Sequence, residues 1–155
     1  MNVLNVGDKV PEFEGLDQNN TKISSNDFSG SKWLVYFYPK DNTPGCTAQA
    51  CSLRDGFDQL AKHNVKVLGV SADSVNSHDK FAAKFGLPFS LLADEGKSVI
   101  EKFGVWGPKK FMGREYEGIH RVSFVMDENG IIIHVIQKPK TKDHANEILG
   151  LLNLN

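Results

Sequence analysis

Short continuous apolar runs alternate with helix-like apolar stripes along the chain. Residues 33–38 and 65–70 are mostly apolar, as expected of strands that are buried on both faces of a sheet. Between them, apolar residues recur every three or four positions, which predicts one helix with a single buried face. These positions are Cys46, Ala50, Leu53, Phe57 and Leu60.

The alternation continues to the end of the chain and is flanked by turn signals. Residues 10–30 carry polar turn residues between apolar positions and predict a small hairpin, and Asn129-Gly130 is a strong signal for a second one. The predicted elements after residue 70 are a helix with Phe81, Ala82 and Phe85 on its inner face, a strand at 87–92, a helix at 97–103, a long loop at 105–116, strands at 119–126 and 131–136, and a helix at 141–152.

This order of elements predicts an α/β fold of the thioredoxin-like type. Strands that alternate with helices form parallel crossovers, and the last hairpin adds antiparallel strands. The expected centre is therefore a mixed sheet with helices on both faces. The chain has 155 residues, enough for a core of its own, and we expect residues 1–155 to form a single domain.

Composition narrows the range of functions. Hydrophobic residues make up 40% and charged residues 24% of the chain, as in ordinary globular proteins, and the net charge is −1. Because there is no basic run, we expect neither nucleic acid nor an anionic membrane as a partner. The N-terminus lacks a basic start followed by an apolar run, and no apolar stretch approaches membrane-spanning length, so we expect a cytoplasmic protein.

The two cysteines suit a reducing compartment in which thiols do chemistry, since two are too few for a disulfide scaffold. Cys46 falls in the first turn of the predicted helix, because Thr43 resembles an N-cap and Pro44 a first helical residue. Unpaired N–H groups and the positive end of the helix dipole favour a thiolate there. On position alone, Cys46 is either such a nucleophile or a small buried apolar residue.

Cys51 lies five residues further along the same predicted helix. In a continuous helix this spacing gives about 7.5 Å of rise and about 140° of rotation, which places the two Cα atoms about 8.7 Å apart. A disulfide tolerates about 7 Å at most, so a bond between Cys46 and Cys51 requires the first helical turns to unwind. The pair is therefore a redox-dependent switch, or Cys51 is an ordinary half-exposed thiol.

Arg121 is the best candidate for a cation near the thiol. In the predicted strand 119–126 it shares a face with Ser123 and Val125, and an arginine on a half-buried strand needs an anionic partner. The alternative is an arginine at the sheet edge that is solvated by water. His120 is expected to face the opposite way.

The remaining polar residues suggest no further chemistry. Asp73 and Asp94 are predicted to cap helices. The other histidines are scattered without the spacing of metal ligands, so we expect no metal and no cofactor. They are His63, His78, His134 and His144.

The sequence around the cysteines resembles a known family. The pattern Pro39-x-x-x-Thr43-x-x-Cys46 is similar to the active-site motif of the peroxiredoxins. The version Pro-Gly-Cys-Thr-x-x-x-Cys at 44–51 resembles the peroxiredoxin Q branch, also called bacterioferritin comigratory proteins. The resemblance covers nearly the whole chain, with further similar segments at 69–74, 87–94, 103–107 and 118–121.

The resemblance implies a thioredoxin-dependent peroxiredoxin that reduces hydrogen peroxide and small organic hydroperoxides without a cofactor. Cys46 would be the peroxidatic nucleophile that becomes a sulfenic acid, and Cys51 the resolving cysteine that forms an intramolecular disulfide with it. Thr43 would orient the substrate by hydrogen bonding, Pro39 would shield the pocket, and Arg121 would activate the thiolate. Thioredoxin would then reduce the disulfide. We expect a monomer, or at most a weak dimer.

Three other functions deserve comparison with a peroxidase. A general thiol–disulfide oxidoreductase usually has a Cys-x-x-Cys motif, which the spacing of Cys46 and Cys51 does not match. A redox sensor, in which the same pair changes a surface for a partner protein, has the same physics and remains open. A structural metal site is rejected, because two cysteines without neighbouring histidines cannot complete the ligand set.

Overall fold

A computed structural model describes residues 1–154 and contains two sheets. The strands are β1 (Glu14–Leu16), β2 (Lys22–Ser24), β3 (Lys32–Phe37), β4 (Val65–Ser71), β5 (Ser90–Ala93), β6 (Trp106–Phe111), β7 (Arg114–Ile119), β8 (Ser123–Met126) and β9 (Ile132–Ile136). The α-helices are α1 (Pro44–Asp55), α2 (Phe57–Lys62), α3 (Val75–Phe85), α4 (Ser98–Lys102) and α5 (His144–Leu151), with 3₁₀ turns at Ser25–Phe28 and Thr141–Asp143.

The larger sheet has seven strands in the order β2-β1-β5-β4-β3-β8-β9. Its centre is parallel, since β4 pairs with β3 on one side and with β5 on the other. The flanking strands β8, β9 and β1 are antiparallel to their neighbours. The predicted mixed sheet is confirmed, and its parallel strands direct their carboxyl ends toward the loops that hold the cysteine helix.

Helices cover both faces of this sheet, as predicted. Alternate residues of β3 divide between two buried clusters. Leu34 and Tyr36 face α1, α3 and α5, while Val35 and Phe37 face α4. Because each of these side chains is at most 1% exposed, β3 is the buried centre of the molecule. The strand therefore gives α1 a rigid base.

The segment 105–116, predicted to be a long loop, instead forms most of a hairpin. Strands β6 and β7 pair in register from Trp106 with Ile119 to Phe111 with Arg114, as a separate two-stranded sheet. The turn is made by Met112 and Gly113, which both have positive φ angles. Most side chains of the hairpin are exposed on either face, so the sequence lacks the apolar alternation that marks a half-buried strand.

The single helix predicted through Leu60 is also wrong, because α1 ends at Asp55 and α2 begins at Phe57. Gly56 lies at the junction, where a Cβ would collide with the Cβ of Ala145 in α5. Close packing of α5 against the junction therefore requires a glycine. The apolar stripe continues across the break and conceals it from the sequence.

Smaller differences concern the ends of elements. The strand predicted at 87–92 begins at Ser90, and the strand predicted at 119–126 begins at Ser123. Ser74, and not Asp73, caps α3, since its hydroxyl accepts a hydrogen bond from the Ser77 N–H at 3.1 Å. Lys97 and not Asp94 is the N-cap residue of α4, but the Asp94 carboxylate accepts a hydrogen bond from the N–H of Ile100 in the first turn of that helix. Within residues 1–154, no helix combines the length and the apolar character needed to cross a membrane.

Candidate active site

The loop between β3 and α1 leads directly to Cys46. The N–H of Tyr38 still bonds to the sheet, at the carbonyl of Val70, and the half-buried Pro39 follows. Thr43 occupies the predicted N-cap position with an extended backbone, but its hydroxyl does not cap the helix. The hydroxyl donates instead to the Lys40 carbonyl at 2.8 Å, which closes the loop on itself just before α1.

Cys46 lies in the first turn of α1 and on the inward side of the helix, as predicted. The residue is 1% exposed and packs in the cluster that contains Tyr36, Tyr38 and Ala50. Its Sγ accepts a hydrogen bond from Nη2 of Arg121 at 3.3 Å. A cation therefore contacts the sulfur in a site that is nearly closed to bulk water, where electrostatic effects are stronger than at a surface.

Arg121 reaches the sulfur from the segment between β7 and β8. The prediction that it lies within a strand is wrong, but the predicted facing is confirmed: Val125 packs in the same cluster as Cys46, on the α1 side of the sheet. Nη1 of Arg121 donates to Oε1 of Gln49 at 2.9 Å. His120 turns the other way and bonds to the Pro108 carbonyl at 2.9 Å.

Gln49 and Gly45 shape the site around the guanidinium group. Gln49 is fully buried, and since its Oε1 faces Arg121, its Nε2 has no hydrogen-bond partner within the described chain. A Cβ on Gly45 would lie 3.1 Å from Nη2 of Arg121, a tight contact. The glycine thus leaves room for Arg121 to approach the start of α1, and Gln49 holds the arginine there.

Two further ionisable groups lie near the sulfur. Burial raises the pKa of the Tyr36 phenol well above its ordinary value, and the nearby negative charges of Cys46 and Asp41 raise it further, so the phenol stays neutral. Burial also lowers the pKa of Lys109, as does the charge of Arg121, against an opposing effect of Cys46. Lys109 Nζ donates to the Ile119 carbonyl at 2.9 Å, so the β6–β7 hairpin brings a second cation near the site.

Comparison with known proteins decides the family. A model described as the AhpC/TSA family matches residues 6–135. The chain belongs to the AhpC/TSA family. Peroxiredoxin Bcp of Escherichia coli (strain K12) is 50% identical over 152 residues, which are 98% of this chain and 97% of that protein. Peroxiredoxin Bcp of Bacillus subtilis (strain 168) is 41% identical over 149 residues, or 96% and 95% of the two chains.

Solved structures of peroxiredoxin Q proteins share the fold. A cysteine mutant of PrxQ from Xylella fastidiosa aligns with a TM-score of 0.92 at 31% identity and covers 99% of this chain and 98% of that one. A cysteine mutant of Peroxiredoxin Q from Xanthomonas campestris aligns with a TM-score of 0.85 at 33% identity, with 91% and 90% covered. The chain is thus a peroxiredoxin of the Bcp or peroxiredoxin Q branch and a thiol peroxidase, and the predicted thioredoxin-like fold is confirmed.

The peroxiredoxin site brings some of the predicted residues together and leaves one apart. Arg121 contacts Cys46 directly, and Thr43 and Pro39 lie on the loop that enters α1. Cys51 is half-buried, and both cysteines are free thiols within the unbroken helix α1. A disulfide between them therefore requires α1 to unwind, as the helix geometry predicted.

Sequence reasoning missed three residues that shape this peroxiredoxin site: Gln49, Gly45 and Lys109. A signal existed for Gln49, because residues three apart on a helix are neighbours and Gln49 follows Cys46 at that spacing. Gly45 precedes the cysteine within the motif, and the motif alone does not indicate that the glycine makes room for an arginine. Lys109 carried no signal, since its place depends on a hairpin that the apolar pattern did not reveal.

Proposed function

We propose that this peroxiredoxin reduces hydrogen peroxide and small organic hydroperoxides with Cys46 as the peroxidatic nucleophile. The observation that supports this role is the hydrogen bond from Nη2 of Arg121 to the Cys46 sulfur at 3.3 Å. The guanidinium group favours the thiolate, and the unpaired N–H groups at the start of α1 act in the same direction. The site therefore supplies an activated nucleophile beside a fixed cation.

In the first step, the Cys46 thiolate attacks one oxygen of the hydroperoxide. The O–O bond breaks, and its electron pair leaves with the second oxygen, which takes up a proton and departs as water or an alcohol. The attacked oxygen keeps its proton, so Cys46 becomes a sulfenic acid. Arg121 stabilises the negative charge that develops on the departing oxygen.

Thr43 and Pro39 complete the proposed pocket. Because the Thr43 hydroxyl proton is engaged by the Lys40 carbonyl, the lone pairs of Oγ1 remain available to accept a hydrogen bond from the hydroperoxide. Pro39 is half-buried at the start of the loop and has no backbone N–H that could compete for the substrate. Thr43 thus orients the substrate, and Pro39 shields it.

In the second step, α1 unwinds and the Cys51 thiolate attacks the Cys46 sulfur. The S–O bond breaks, hydroxide leaves and is protonated to water, and an intramolecular disulfide forms. A dithiol then supplies two electrons and two protons by exchange, and thioredoxin is the reductant that we propose. The cytoplasm, where thiols are kept reduced, suits this cycle. We propose that the enzyme acts as a monomer, because both cysteines lie in one helix.

The decisive experiment mixes the reduced protein with hydrogen peroxide in a stopped-flow instrument and identifies the products by mass spectrometry. Wild type should oxidise far faster than a free thiol and form a disulfide. Cys51→Ser should oxidise equally fast but accumulate sulfenic and sulfinic acid, whereas Cys46→Ser should not react. Rapid oxidation in Cys46→Ser would overturn the assignment. A wild-type rate equal to that of a free thiol would favour a redox sensor or a general thiol–disulfide oxidoreductase.

A further inference from the structure

A buried polar network holds the loop that carries Pro39 and Thr43. Its centre is Asp41, whose side chain is 3% exposed. The carboxylate accepts hydrogen bonds from the Tyr38 hydroxyl at 2.6 Å, from the Ser77 hydroxyl at 2.8 Å and from His78 Nδ1 at 2.7 Å. Three donors, two of them from α3, therefore converge on one residue of the catalytic loop.

His78 connects Asp41 to the central sheet. His78 is fully buried, and its Nε2 lies 3.0 Å from the Leu92 carbonyl. A carbonyl can only accept, so Nε2 carries a proton. Nδ1 lies 2.7 Å from the carboxylate of Asp41, within hydrogen-bonding distance. His78 therefore ties Asp41 to the backbone of β5 through two hydrogen bonds.

A second anchor acts on the backbone of the same residue. The N–H of Asp41 donates to Oδ2 of Asp73 at 2.8 Å, and the same oxygen accepts from the Ser71 hydroxyl at 2.6 Å. Asn42, the next residue, has a positive φ of 60°, which is uncommon outside glycine and requires the surroundings to fix the chain. Position 41 is thus held through both its side chain and its main chain.

The grouping of Asp41, Asp73 and His78, whose ligand atoms lie within 4.8 Å of one another, resembles a cation site. The hydrogen bonds indicate instead that these residues anchor the loop at Asp41. Three donors already occupy the Asp41 carboxylate, and the facing nitrogen of His78 is engaged in one of these bonds. A metal ion would have to displace all of them.

We propose that Asp41 and His78 are positioning residues for Cys46 oxidation, which act by fixing the loop that enters α1. This inference rests on the proposed two-step function. The Lys40 carbonyl holds the Thr43 hydroxyl at 2.8 Å, and the Thr43 carbonyl accepts the N–H of Thr47 at 2.8 Å, so the first turn of α1 is built on residues that Asp41 fixes. The network therefore favours the helical, reactive form of the site and opposes the unwinding that the disulfide needs.

The test compares Asp41→Asn and His78→Asn with Asp17→Asn. Asp17 is a matched control, since it is also buried, at 4% exposure, and also organises backbone N–H groups, at Asn19 and Thr21 in the β1–β2 turn. Oxidation is measured by stopped flow with hydrogen peroxide in the Cys51→Ser background. Disulfide formation is measured with both cysteines present.

Each variant of the network should slow oxidation about tenfold, because small displacements of reacting groups are costly, and should accelerate disulfide formation. The double variant should be little slower than Asp41→Asn alone, since the two residues act as a unit. Asp17→Asn should alter neither step, even if urea denaturation shows a comparable loss of stability. Opposite changes in the two rates are the signature that general destabilisation would not produce.

If Asp41→Asn and His78→Asn change the two rates no more than Asp17→Asn does, the inference is overturned while the peroxidase function stands. A wild type that oxidises no faster than a free thiol would instead defeat the proposed function. Should either variant fail to fold, Ser77→Ala removes a single hydrogen bond to Asp41 and should shift both rates in the same directions by smaller factors. Hydrogen exchange of the Asp41 and Thr47 amides should also become faster in Ser77→Ala. A folded Ser77→Ala that changes neither the two rates nor this exchange would refute the inference.

Discussion

The two cysteines of α1 lie five residues apart in one helix but in opposite surroundings. Cys46 is 1% exposed and contacts a guanidinium group that Gln49 holds from the next turn. Cys51 is half-buried and lies beyond the reach of this arrangement. The first thiol is organised for reaction, whereas the second lies in the part of the helix that α5 holds.

This difference implies that the two proposed steps make opposing demands on the same helix. Oxidation needs the start of α1 to be rigid, but the disulfide needs it to unwind. The end of α1 is fixed in another way, because Ser52 Oγ accepts the N–H of Ala145 at 3.2 Å and Gly56 packs closely against Ala145. Hydrogen bonds, which water can replace when the helix unwinds, hold the start of α1. Close packing against α5 holds its end.

Removing the guanidinium group should have the largest effect, because it abolishes what distinguishes the Cys46 environment. Arg121→Gln should lower the rate constant of oxidation by hydrogen peroxide about 100- to 1,000-fold, or by about 3–4 kcal/mol of transition-state stabilisation. Arg121→Lys keeps the charge but cannot serve Cys46 and Gln49 together, so it should recover only part of the rate. Stopped-flow kinetics provide the measurement, and a wild-type rate in Arg121→Gln would contradict the role of Arg121.

Gly56→Ala tests the other end of the helix. Alanine favours a helix over glycine by about 1 kcal/mol, but the added Cβ collides with Ala145, and overpacking of this kind costs about 1–3 kcal/mol. We expect the overpacking to prevail, so urea denaturation should show a lower free energy of unfolding. Because the contacts at Cys46 lie elsewhere on α1, its oxidation rate should change little.

Gly96→Ala is the matched control for this substitution, since nothing lies within 4 Å of the added Cβ. Its free energy of unfolding should stay close to that of wild type. Equal stability of Gly56→Ala and Gly96→Ala would show that α5 can yield at the junction, and that close packing is not what holds the end of α1.

Gln49→Met separates activity from stability within the Cys46 site. The buried Nε2 of Gln49 has no partner among the described residues, and an unpaired buried donor costs about 1–3 kcal/mol. Methionine removes this cost at similar volume but leaves Arg121 unheld. Oxidation should therefore slow about tenfold. Urea denaturation should show little change in stability, because the hydrogen bond that Arg121 loses offsets the relief of the unpaired Nε2. If Gln49→Met lost stability and kept the wild-type rate of oxidation, Gln49 would serve stability and would not position Arg121.

The sequence predicted those features that depend on local pattern. The buried strand, the helix start at Pro44 and the inward facing of Cys46 and Arg121 all follow from periodicity and resemblance. The β6–β7 hairpin did not follow, because its exposed side chains give no apolar alternation. Nor did the burial of Gln49, Asp41 or His78, since a polar residue is buried by distant segments that its own neighbourhood does not specify.

The smallest predicted effect is a dependence of stability on pH, through the helix α5 that packs against the end of α1. His144 begins α5, and its Nε2 lies 2.8 Å from the Ser123 hydroxyl while Nδ1 lies 2.8 Å from Glu147. The Glu147 carboxylate can only accept a hydrogen bond, so Nδ1 of His144 carries the proton. Nε2 then accepts a hydrogen bond from the Ser123 hydroxyl, and the imidazole ring is neutral. Burial lowers the pKa of His144, and this outweighs the opposing hydrogen bond and charge of Glu147.

Because the folded protein disfavours the charged ring, the unfolded chain binds the extra proton more readily. The stability that His144 contributes is therefore fully present above its unfolded pKa of about 6.5 and is lost as the pH falls below that value. Urea denaturation at pH 7.5 and 5.5 should show this loss, and His144→Gln should reduce the difference between the two conditions. If His144→Gln keeps the full difference in stability between the two pH values, other groups cause that difference. The contacts of His144 between α5 and β8 would then not make the packing of α5 against the end of α1 sensitive to acid.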